Sequence, residues 1–493
     1  MSQSQQTKRK LKLWEALALS LGLVGPTLAM SGNAQGLIDS VGKALPLVFL
    51  FGLIGVAFIA YGFIRLTSYY NHTGSAYALV GITIGPKAGF FSGFALLVTY
   101  LCFSIGTLSA FGAFTNAFLA ALSPDAAHPF QIPWFITVLV GVFFSWLLNN
   151  RESRVVARVL MAIEGFGIVL MLILAAVILI HGGHSQAGTA IHHSSIFSLN
   201  GVSIEAVMGA VVAAFLSWAG FEACATLGEE TDNPKRNIPL ALLGSIVLTG
   251  ALFILMMYVQ VIGFGTDAAG LNAFKTSANS LGTLSEQYIG AAYGLLIMFT
   301  ALMAALACHL SASATASRLL YALARDGFGH RSLATVNSHK QPHNALTVVL
   351  LVCTVVNFLS WVSGKPDMGT GTSSLDSYFY FAIIGSICLM ITYLMVQFGV
   401  IRFILSAKAK IAIWEVIFPI LGSAVMLVSL YFNFKGNSDL LSPPFVAVAC
   451  CFIGLVIIIL APKLAQNIGH SLSKEFTETE NQEVELTKQA ELS

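Results

Sequence analysis

Two carboxyl groups in apolar surroundings are the features of this sequence best suited to chemistry. Glu222 follows Gly220 and Phe221 inside a long apolar run, and Glu164 lies in a second apolar run, Val159–Gly165. Lipid offers no hydrogen bonds, so a carboxyl group in a membrane-length helix needs a partner, a proton or a water-filled cavity. Burial favours the neutral acid, so such a group can take up a proton on one side of a membrane and release it on the other.

Glycine and proline residues interrupt two of the apolar runs. Gly220 tolerates backbone conformations that other residues do not, and an opened turn beside it would free carbonyl groups for an ammonium ion or another cation. In the first run, Pro26 follows Gly25, has no N–H and clashes with the carbonyl group four residues earlier. Close helix packing at Gly220 and a simple proline kink at Pro26 are the plainer explanations.

The composition excludes an ordinary soluble protein. Of the 493 residues, 56% are hydrophobic and only 10% are charged, which is typical of a chain embedded in a lipid bilayer. The net charge of +2 gives no reason to expect a nucleic-acid partner. All seven cysteines lie in apolar stretches, so we expect neither a disulfide framework nor a metal site.

The apolar runs predict an all-α integral membrane protein with twelve transmembrane helices. A bilayer core needs about 20 apolar residues per helix, and none of these runs shows the alternating polarity of a strand. The eighth run is too long for one straight span, so we expect its end, from Arg318, to emerge into the cytoplasm. The runs lie near residues 14–36, 44–66, 89–121, 133–149, 155–181, 206–228, 238–263, 286–324, 344–363, 376–402, 411–433 and 443–462.

Lysine and arginine are distributed unequally between the two ends of these runs. One side carries most of them, including Arg154, Lys235 and Arg236. The other side holds only Lys43, Lys275, Lys365 and Lys435. Cytoplasmic loops are enriched in these residues, so we expect the N-terminal segment 1–13 and the tail 463–493 to be cytoplasmic. The tail is polar and rich in acidic residues, so we expect it to be disordered.

The segment around Glu222 and the charged loop after it carry a family resemblance. Trp218–Pro239, which reads WAGFEACATLGEETDNPKRNIP, resembles the sixth helix and following loop of amino acid–polyamine–organocation permeases. Ser317–Gly327 is similar to the end of that family's eighth span. Asn71–Tyr77 resembles its segment between spans two and three, although the usual proline is missing. The resemblance extends over roughly residues 14–460.

The resemblance implies a leucine-transporter-like fold. Spans 1–5 and 6–10 would form a 5+5 inverted repeat with broken helices 1 and 6, and two extra helices would follow. The transport core would then cover residues 14–402, and helices 11 and 12 would cover residues 411–462. In such folds, the substrate is held near the middle of the membrane at the helix breaks.

An amino acid would find complementary groups at these two breaks. The N-terminus of a half-helix suits the carboxylate, and the free carbonyls at the C-terminus of a half-helix suit the ammonium. We expect the amides of Thr27 to Ala29 to face the carboxylate, since many relatives have a Gly-Ser-Gly-like turn where this chain has Gly25–Thr27. The expected substrate-binding residues are Gly25, Pro26, Thr27, Leu28, Ala29, Leu216, Ser217, Trp218, Ala219, Gly220 and Phe221.

Glu164 and Glu222 are the candidate proton-coupling residues. Glu222 resembles the proton-responsive glutamate of arginine–agmatine exchangers. Some proton-coupled relatives have a lysine near the position of Glu164, so that lysine mechanism cannot be copied here. A purely structural Glu164 would pair with Arg158 or with a hydroxyl group. Sodium coupling stays open, because the eighth run offers the hydroxyl groups of Ser311, Ser313, Thr315 and Ser317.

These features predict a permease, a secondary transporter that moves amino acids across a cell membrane, the inner membrane in a bacterium, by alternating access. Proton coupling is expected, with sodium as the other possible ion. A polyamine or cationic amino acid exchanger is the near alternative, and a nutrient sensor on a transporter scaffold is the alternative of another class. We expect no enzyme activity, cofactor or metal, because the sequence lacks a His-Glu-x-x-His motif, a nucleotide-binding loop and a catalytic triad. The oligomeric state is left open.

Overall fold

Helices make up the fold throughout the part of the chain that the computed structural model describes. These described residues are 10–70, 75–123, 129–183, 193–199, 201–228, 230–277, 279–406, 411–435, 437 and 439–470. The first nine α-helices are α1 Leu13–Val24, α2 Pro26–Gly32, α3 Ile38–Val41, α4 Leu45–Tyr69, α5 Ser75–Thr83, α6 Pro86–Ala121, α7 Trp134–Asn149, α8 Ser153–His181 and α9 His193–Ile196. The others are α10 Ile204–Phe215, α11 Pro234–Phe264, α12 Ala268–Thr276, α13 Ser280–Tyr288, α14 Ala291–Arg325, α15 His343–Ser363, α16 Ser373–Ile404, α17 Ile417–Phe434 and α18 Pro443–Leu460.

Eleven helical stretches in these residues are long and apolar enough to cross a membrane. They correspond to all but one of the predicted runs, so the prediction of an all-α membrane protein is confirmed. The fourth predicted run, 133–149, forms α7, which has 16 residues and is shorter than the roughly 20 residues that a straight span needs. Large apolar side chains such as Leu351, Phe358 and Leu359 are exposed on α15, as expected for a helix that faces lipid.

The eighth predicted run, 286–324, is two helices rather than one. The chain ends α13 at Tyr288 and begins α14 at Ala291, and Gly290 between them has φ 134°. That backbone conformation is open to glycine and rarely to other residues, so the helix cannot continue through it. The start of the predicted run, Glu286–Tyr288, therefore belongs to the largely polar helix α13 and not to the span.

The first residues of the tail that was predicted to be disordered are helical. Residues 462–470 are helical, and Leu464 and Ile468, one helical turn apart, are buried. Asn467 and Leu464 lie against Gly327, at the end of α14. An apolar pair at this spacing gives a short helix a face to bury, which outweighs the polar composition around it. Residues 471–493 and 1–9 lie outside the described residues.

The long helix α6 lies at the centre and packs along α14 and α16. Small residues allow the close approach: a Cβ on Gly106 would lie 3.0 Å from the Tyr378 carbonyl oxygen, and one on Gly385 would lie 2.8 Å from the Phe103 ring. Helices in membranes associate through such close contacts because burial from lipid supplies little driving force. The tight packing makes α6, α14 and α16 a firm support for the broken helices beside them.

Polar contacts tie the broken segments to their neighbours at the N-terminal end of the bundle. Leu11 pairs with the loop after the sixth run, where its N–H donates to the Glu230 carbonyl oxygen at 2.8 Å. The Arg154 side chain on α8 lies 3.0 Å from the Glu15 carboxylate on α1, and Arg318 on α14 lies 3.7 Å from the Glu230 carboxylate. These contacts link α1 and the loop to each other and to the helices that support them.

Candidate functional site

The first helix is interrupted between α1 and α2, as predicted. Gly25 has the left-handed angles φ 54° and ψ 65°, and Pro26 opens α2 at the position where its missing N–H costs least. A Cβ on Gly25 would overlap the Cys308 sulfur of α14. The backbone conformation and the contact with α14 therefore both require glycine at this position.

The break leaves fewer backbone N–H groups without a partner than the sequence suggested. The Ala29 N–H donates to the Gly25 carbonyl oxygen at 2.9 Å, so it is not free to bind a carboxylate in this structure. An α-helix leaves only its first few N–H groups unpaired, and Ala29 already lies far enough along α2 to find a partner four residues back. Within the described residues, the N–H groups of Thr27 and Leu28 have no hydrogen-bond partner.

The sixth run is interrupted at Ala219 and Gly220. After α10 the backbone forms one 3₁₀ turn, then Ala219 is extended with ψ 127° and Gly220 has φ 94°. The Ala219 N–H donates to the Leu216 carbonyl oxygen at 3.2 Å, and a second 3₁₀ segment runs from Phe221 to Leu227. A Cβ on Gly220 would overlap the Leu23 side chain, so the two breaks lie directly against each other.

A single hydroxyl group joins the two broken helices next to the breaks. Ser20 on α1 donates to the Phe221 carbonyl oxygen at 2.7 Å and accepts from the Cys224 N–H at 3.0 Å. Beyond the breaks, Asn33 donates to the Ser217 hydroxyl at 3.2 Å and accepts from the Tyr378 hydroxyl at 3.1 Å. Side-chain bonds of this kind supply partners that an interrupted helix cannot supply itself.

Two small cavities lie on either side of Ala219. The first has a volume of about 30 Å³ and its wall includes Leu23, Leu28, Phe103, Leu216, Ala219, Cys308 and Tyr378. The second has a volume of about 20 Å³ and its wall includes Trp218, Ala219, Phe221 and Tyr393. A volume of this size holds about one water molecule, so a larger molecule requires the helices to move.

The predicted site residues are therefore divided between two walls. Leu28, Leu216 and Ala219 line the first cavity, whereas Trp218 and Phe221 line the second. Sequence reasoning missed Phe103, Tyr378 and Cys308 in the first wall. Nothing in the sequence distinguishes these residues from other apolar residues of long spans, because only the packing of distant helices brings them to the breaks.

Glu164 on α8 is buried beside the break in the first helix. Its side chain is 1% exposed, and within the described residues neither carboxyl oxygen has a hydrogen-bond partner. The carboxyl group lies next to the Thr27 N–H without forming a hydrogen bond of normal geometry with it. Arg158 is exposed and forms no ion pair with Glu164, so the pairing considered from the sequence is absent. A buried carboxyl group without a partner is expected to hold a proton or to await a cation.

Glu222, by contrast, is fully partnered. Its carboxyl group accepts from the Tyr100 hydroxyl at 2.7 Å and also from the Tyr393 hydroxyl. The two tyrosines come from α6 and α16, so Glu222 joins the broken sixth helix to the central support. The sequence identified Glu222 but neither tyrosine, because tyrosines in spans usually only pack.

Comparison with known proteins identifies the family to which the chain belongs. The family model for amino acid permeases matches residues 15–468, nearly the whole chain. The chain belongs to the amino acid permease family. The prediction made from Trp218–Pro239 is thereby confirmed, and this permease is a multi-pass membrane transport protein.

Characterised relatives differ in what they carry. The permease is 27% identical to the low-affinity putrescine importer PlaP of Escherichia coli, over 70% of this chain and 73% of the importer. It is 24% identical to the branched-chain amino acid permease BcaP of Lactococcus lactis, over 69% of this chain and 73% of that permease. A Bacillus subtilis branched-chain amino acid permease is 21% identical over a similar share.

The four hydroxyl groups considered for sodium all donate to backbone carbonyl groups. Ser311 donates to the Leu19 carbonyl oxygen at 2.8 Å and so joins α14 to α1. The other three donate within α14. The hydrogen of each hydroxyl group is therefore used in a bond that holds the helices of the permease. A sodium ion would have to bind through the oxygen lone pairs of these groups.

Trp218→Ala should destabilise the permease rather than weaken substrate binding directly. The Trp218 ring packs against Phe49 and Phe253 at ring-centre distances of 5.6 and 5.2 Å. Removing a buried tryptophan side chain costs about 3–5 kcal/mol, so the thermal unfolding midpoint in detergent should fall. Trp14→Ala, which removes a 63% exposed ring, is the matched control. A raised KM with an unchanged unfolding midpoint would instead place Trp218 on the substrate path.

Proposed function

We propose that this permease is a proton-coupled secondary transporter that moves a neutral amino acid by alternating access. The observation that carries the proposal is the small cavity between two abutting helix breaks, together with the buried, unpartnered Glu164 carboxyl group near the first break. Two broken helices can move against their supports, and a site between the breaks that opens when they move is what alternating access requires.

The groups around the cavity suit a zwitterion with an apolar side chain. The N–H groups of Thr27 and Leu28 would receive the carboxylate, and the carbonyl oxygens of Leu216, Ser217 and Ala219 would receive the ammonium. Gly25, Pro26 and Gly220 would shape the two breaks, and Ala29 would contribute to the wall. Trp218 and Phe221 would meet the substrate only when movement at Ala219 joins the two cavities. The apolar wall and the similarity to branched-chain amino acid permeases support a neutral amino acid.

A polyamine or cationic amino acid is the second candidate substrate. The unpartnered oxygens of Glu164 could accept from an additional ammonium group. The similarity to a putrescine importer supports this candidate. The two candidates differ in charge, so a competition experiment separates them.

We propose different roles for Glu164 and Glu222 in proton coupling. Glu164 would carry the proton, because no hydrogen bond within the described residues fixes its protonation state. Glu222 would respond to protonation through its bonds to Tyr100 and Tyr393, which hold the sixth helix against α6 and α16. Protonation would make the Glu222 carboxyl group a weaker hydrogen-bond acceptor for both tyrosine hydroxyl groups.

We further propose the topology that the sequence predicted. α7 would cross the membrane as a short twelfth span, spans 1–5 and 6–10 would form the 5+5 repeat, and both termini would lie in the cytoplasm of a bacterial cell. The concentration of arginine at the end that holds Arg154 and Arg318 supports this orientation.

Uptake by proteoliposomes tests the function and the substrate class. Labelled leucine should accumulate under an inward proton gradient, and unlabelled isoleucine and valine should compete better than putrescine or arginine. If putrescine competes better than isoleucine and valine, the substrate is an amine rather than a neutral amino acid. Absence of uptake for the whole panel under proton and sodium gradients would contradict transport and favour a sensor on a transporter scaffold.

A further inference from the structure

We propose that a hydrated polar path along one face of α2 leads protons to Glu164 from the end of the bundle opposite the N-terminal segment. The inference rests on the proposed function, because it needs Glu164 as the proton carrier. It adds Ser31 and Gln35 as residues that conduct protons without touching the substrate.

Three polar side chains form the path. Thr27, Ser31 and Gln35 follow one another at four-residue spacing, which places them on one face of a helix. Asn33 and Ala34 keep right-handed helical angles after α2, so the spacing holds as far as Gln35. Eight residues of helix span about 12 Å. Each of the three side chains has a buried oxygen without a hydrogen-bond partner, namely Thr27 Oγ1, Ser31 Oγ and Gln35 Oε1.

The inner end of the path meets Glu164. A Cβ on Gly167 would overlap the Thr27 hydroxyl oxygen, so this hydroxyl group packs directly on α8. Gly167 lies one helical turn after Glu164, whose carboxyl group lies next to the Thr27 N–H. The Thr27 hydroxyl and the Glu164 carboxyl are therefore neighbours across the contact between α2 and α8.

The outer end of the path lies under α13. The Ser280 hydroxyl donates to the Met30 and Ser31 carbonyl oxygens at 3.2 and 3.3 Å, and the Gln35 amide donates to the Ser31 carbonyl oxygen at 2.7 Å. Ser31 is fully buried, whereas Gln35 is partly exposed. The path therefore runs from the closed interior at Thr27 to a partly open mouth at Gln35.

Further unpartnered polar groups lie on or next to the two helices that pack against α2. They are the Asn279 side-chain nitrogen, the Ser285 hydroxyl and the side-chain amide of Gln260 on α11. α11 and α13 both pack against α2. Buried polar groups are almost always hydrogen-bonded, and a buried water is stable where two to four such groups surround it. The accumulation of unpartnered donors and acceptors along one face therefore indicates hydration, through which a proton can pass between neighbouring oxygens.

The path is separate from the proposed substrate cavity. Leu28, the residue after Thr27, points about 100° away around α2 and lines the cavity. The titratable group that faces Glu164 is the Cys308 thiol of α14. On α8 and α1, Arg154 and Glu15 pair with each other about 15 Å from Glu164. Near the outer end, the Gln35 amide lies 3.4 Å from the Ser277 carbonyl oxygen, and Lys275, two residues before Ser277, pairs with Asp39 at 2.6 Å. The proposed path reaches Glu164 along a face of α2 that points away from the cavity.

Ser31→Val tests the path. The substitution removes the central hydroxyl, and valine is larger than serine by one methyl group, so the exchange assay and the Ser145→Val control below report the effect of size alone. We expect gradient-driven uptake into proteoliposomes to fall by about tenfold. Exchange of internal for external substrate at equal pH needs no net proton movement and should stay within about twofold of wild type. Ser145→Val on α7 is the matched control, because its hydroxyl is also buried and unpartnered but lies away from α2.

Glu164→Gln in the same assay separates the two proposals. If Glu164→Gln abolishes the gradient effect and Ser31→Val does not change it, the path is wrong and the proposed coupling stands. If Glu164→Gln leaves the gradient effect intact, the proposed coupling is wrong and the path is overturned with it. Loss of exchange in Ser31→Val as well as of gradient-driven uptake would mean a structural role and would also overturn the path.

A chemical measurement supplies evidence that does not depend on transport. Ser31→Cys should react with a small hydrophilic methanethiosulfonate reagent added to sealed, right-side-out vesicles, and the wild-type protein should show little reaction. Ser145→Cys should react no faster than wild type. Equal, slow reaction of Ser31→Cys and Ser145→Cys would show that water does not reach Ser31, which contradicts the path.

Discussion

Glu164→Gln is expected to remove the effect of a proton gradient on uptake while exchange continues. Glutamine keeps the shape of the side chain but cannot take up a proton. A gradient of about one pH unit supplies about 1.4 kcal/mol for each coupled proton, which corresponds to about tenfold accumulation. In the variant this accumulation should fall to about the external concentration, because the buried group next to Thr27 no longer titrates.

Glu164→Asp is the matched variant. It keeps a titratable group one methylene shorter, and part of the gradient effect should return. The measurement is accumulation of labelled substrate in proteoliposomes, with counterflow in the same preparation to show that the variant binds and moves substrate. Full gradient-driven accumulation by Glu164→Gln would exclude Glu164 as the proton carrier and leave Glu222 as the remaining candidate.

Gly220→Ala is expected to abolish transport. Gly220 has φ 94°, and an added Cβ would overlap the Leu23 side chain at the end of α1. A left-handed conformation costs a residue other than glycine about 1–2 kcal/mol, and overpacking adds about 1–3 kcal/mol. Both costs act where the two breaks touch, so they disturb the geometry of the cavity as well as the stability of the protein.

Two further variants make this prediction specific. Gly209→Ala lies in α10 of the same broken helix, where an added Cβ meets nothing within 4 Å, and should leave uptake unchanged. Leu23→Ala combined with Gly220→Ala removes the overlap but not the backbone strain, so it should restore uptake only in part. Wild-type uptake by Gly220→Ala alone would show that the break does not need glycine.

The sequence was sufficient to predict features that depend on local chemistry. Apolar length predicted the spans, and Gly25–Pro26 and Gly220 predicted the two interruptions, because glycine and proline restrict or free the backbone wherever they occur. The turn at Gly290 was missed because a single glycine does not by itself mark a break, and glycines such as Gly106 lie inside continuous helices. The helix at 462–470 was missed because its apolar residues are few and gain their stability from contact with the end of α14.

The arrangement of the site depended on contacts between residues far apart in the chain. Tyr100 and Tyr393 meet at Glu222 from positions 122 residues before it and 171 residues after it. The direction of the Trp218 ring is fixed by Phe49 and Phe253, which the spacing around Trp218 does not reveal. The isolation of Glu164 likewise depends on Arg158 facing outward, so a sequence alone could name the residue but not its lack of partners.

The most direct test of the central claim records substrate uptake and internal pH together in proteoliposomes of the wild-type permease. We expect labelled leucine to enter under an inward proton gradient while the internal pH falls faster than in vesicles without leucine, and a protonophore to abolish the accumulation. Accumulation of substrate with no additional fall in internal pH, or no accumulation under any proton gradient, would contradict a proton-coupled transporter that works through Glu164.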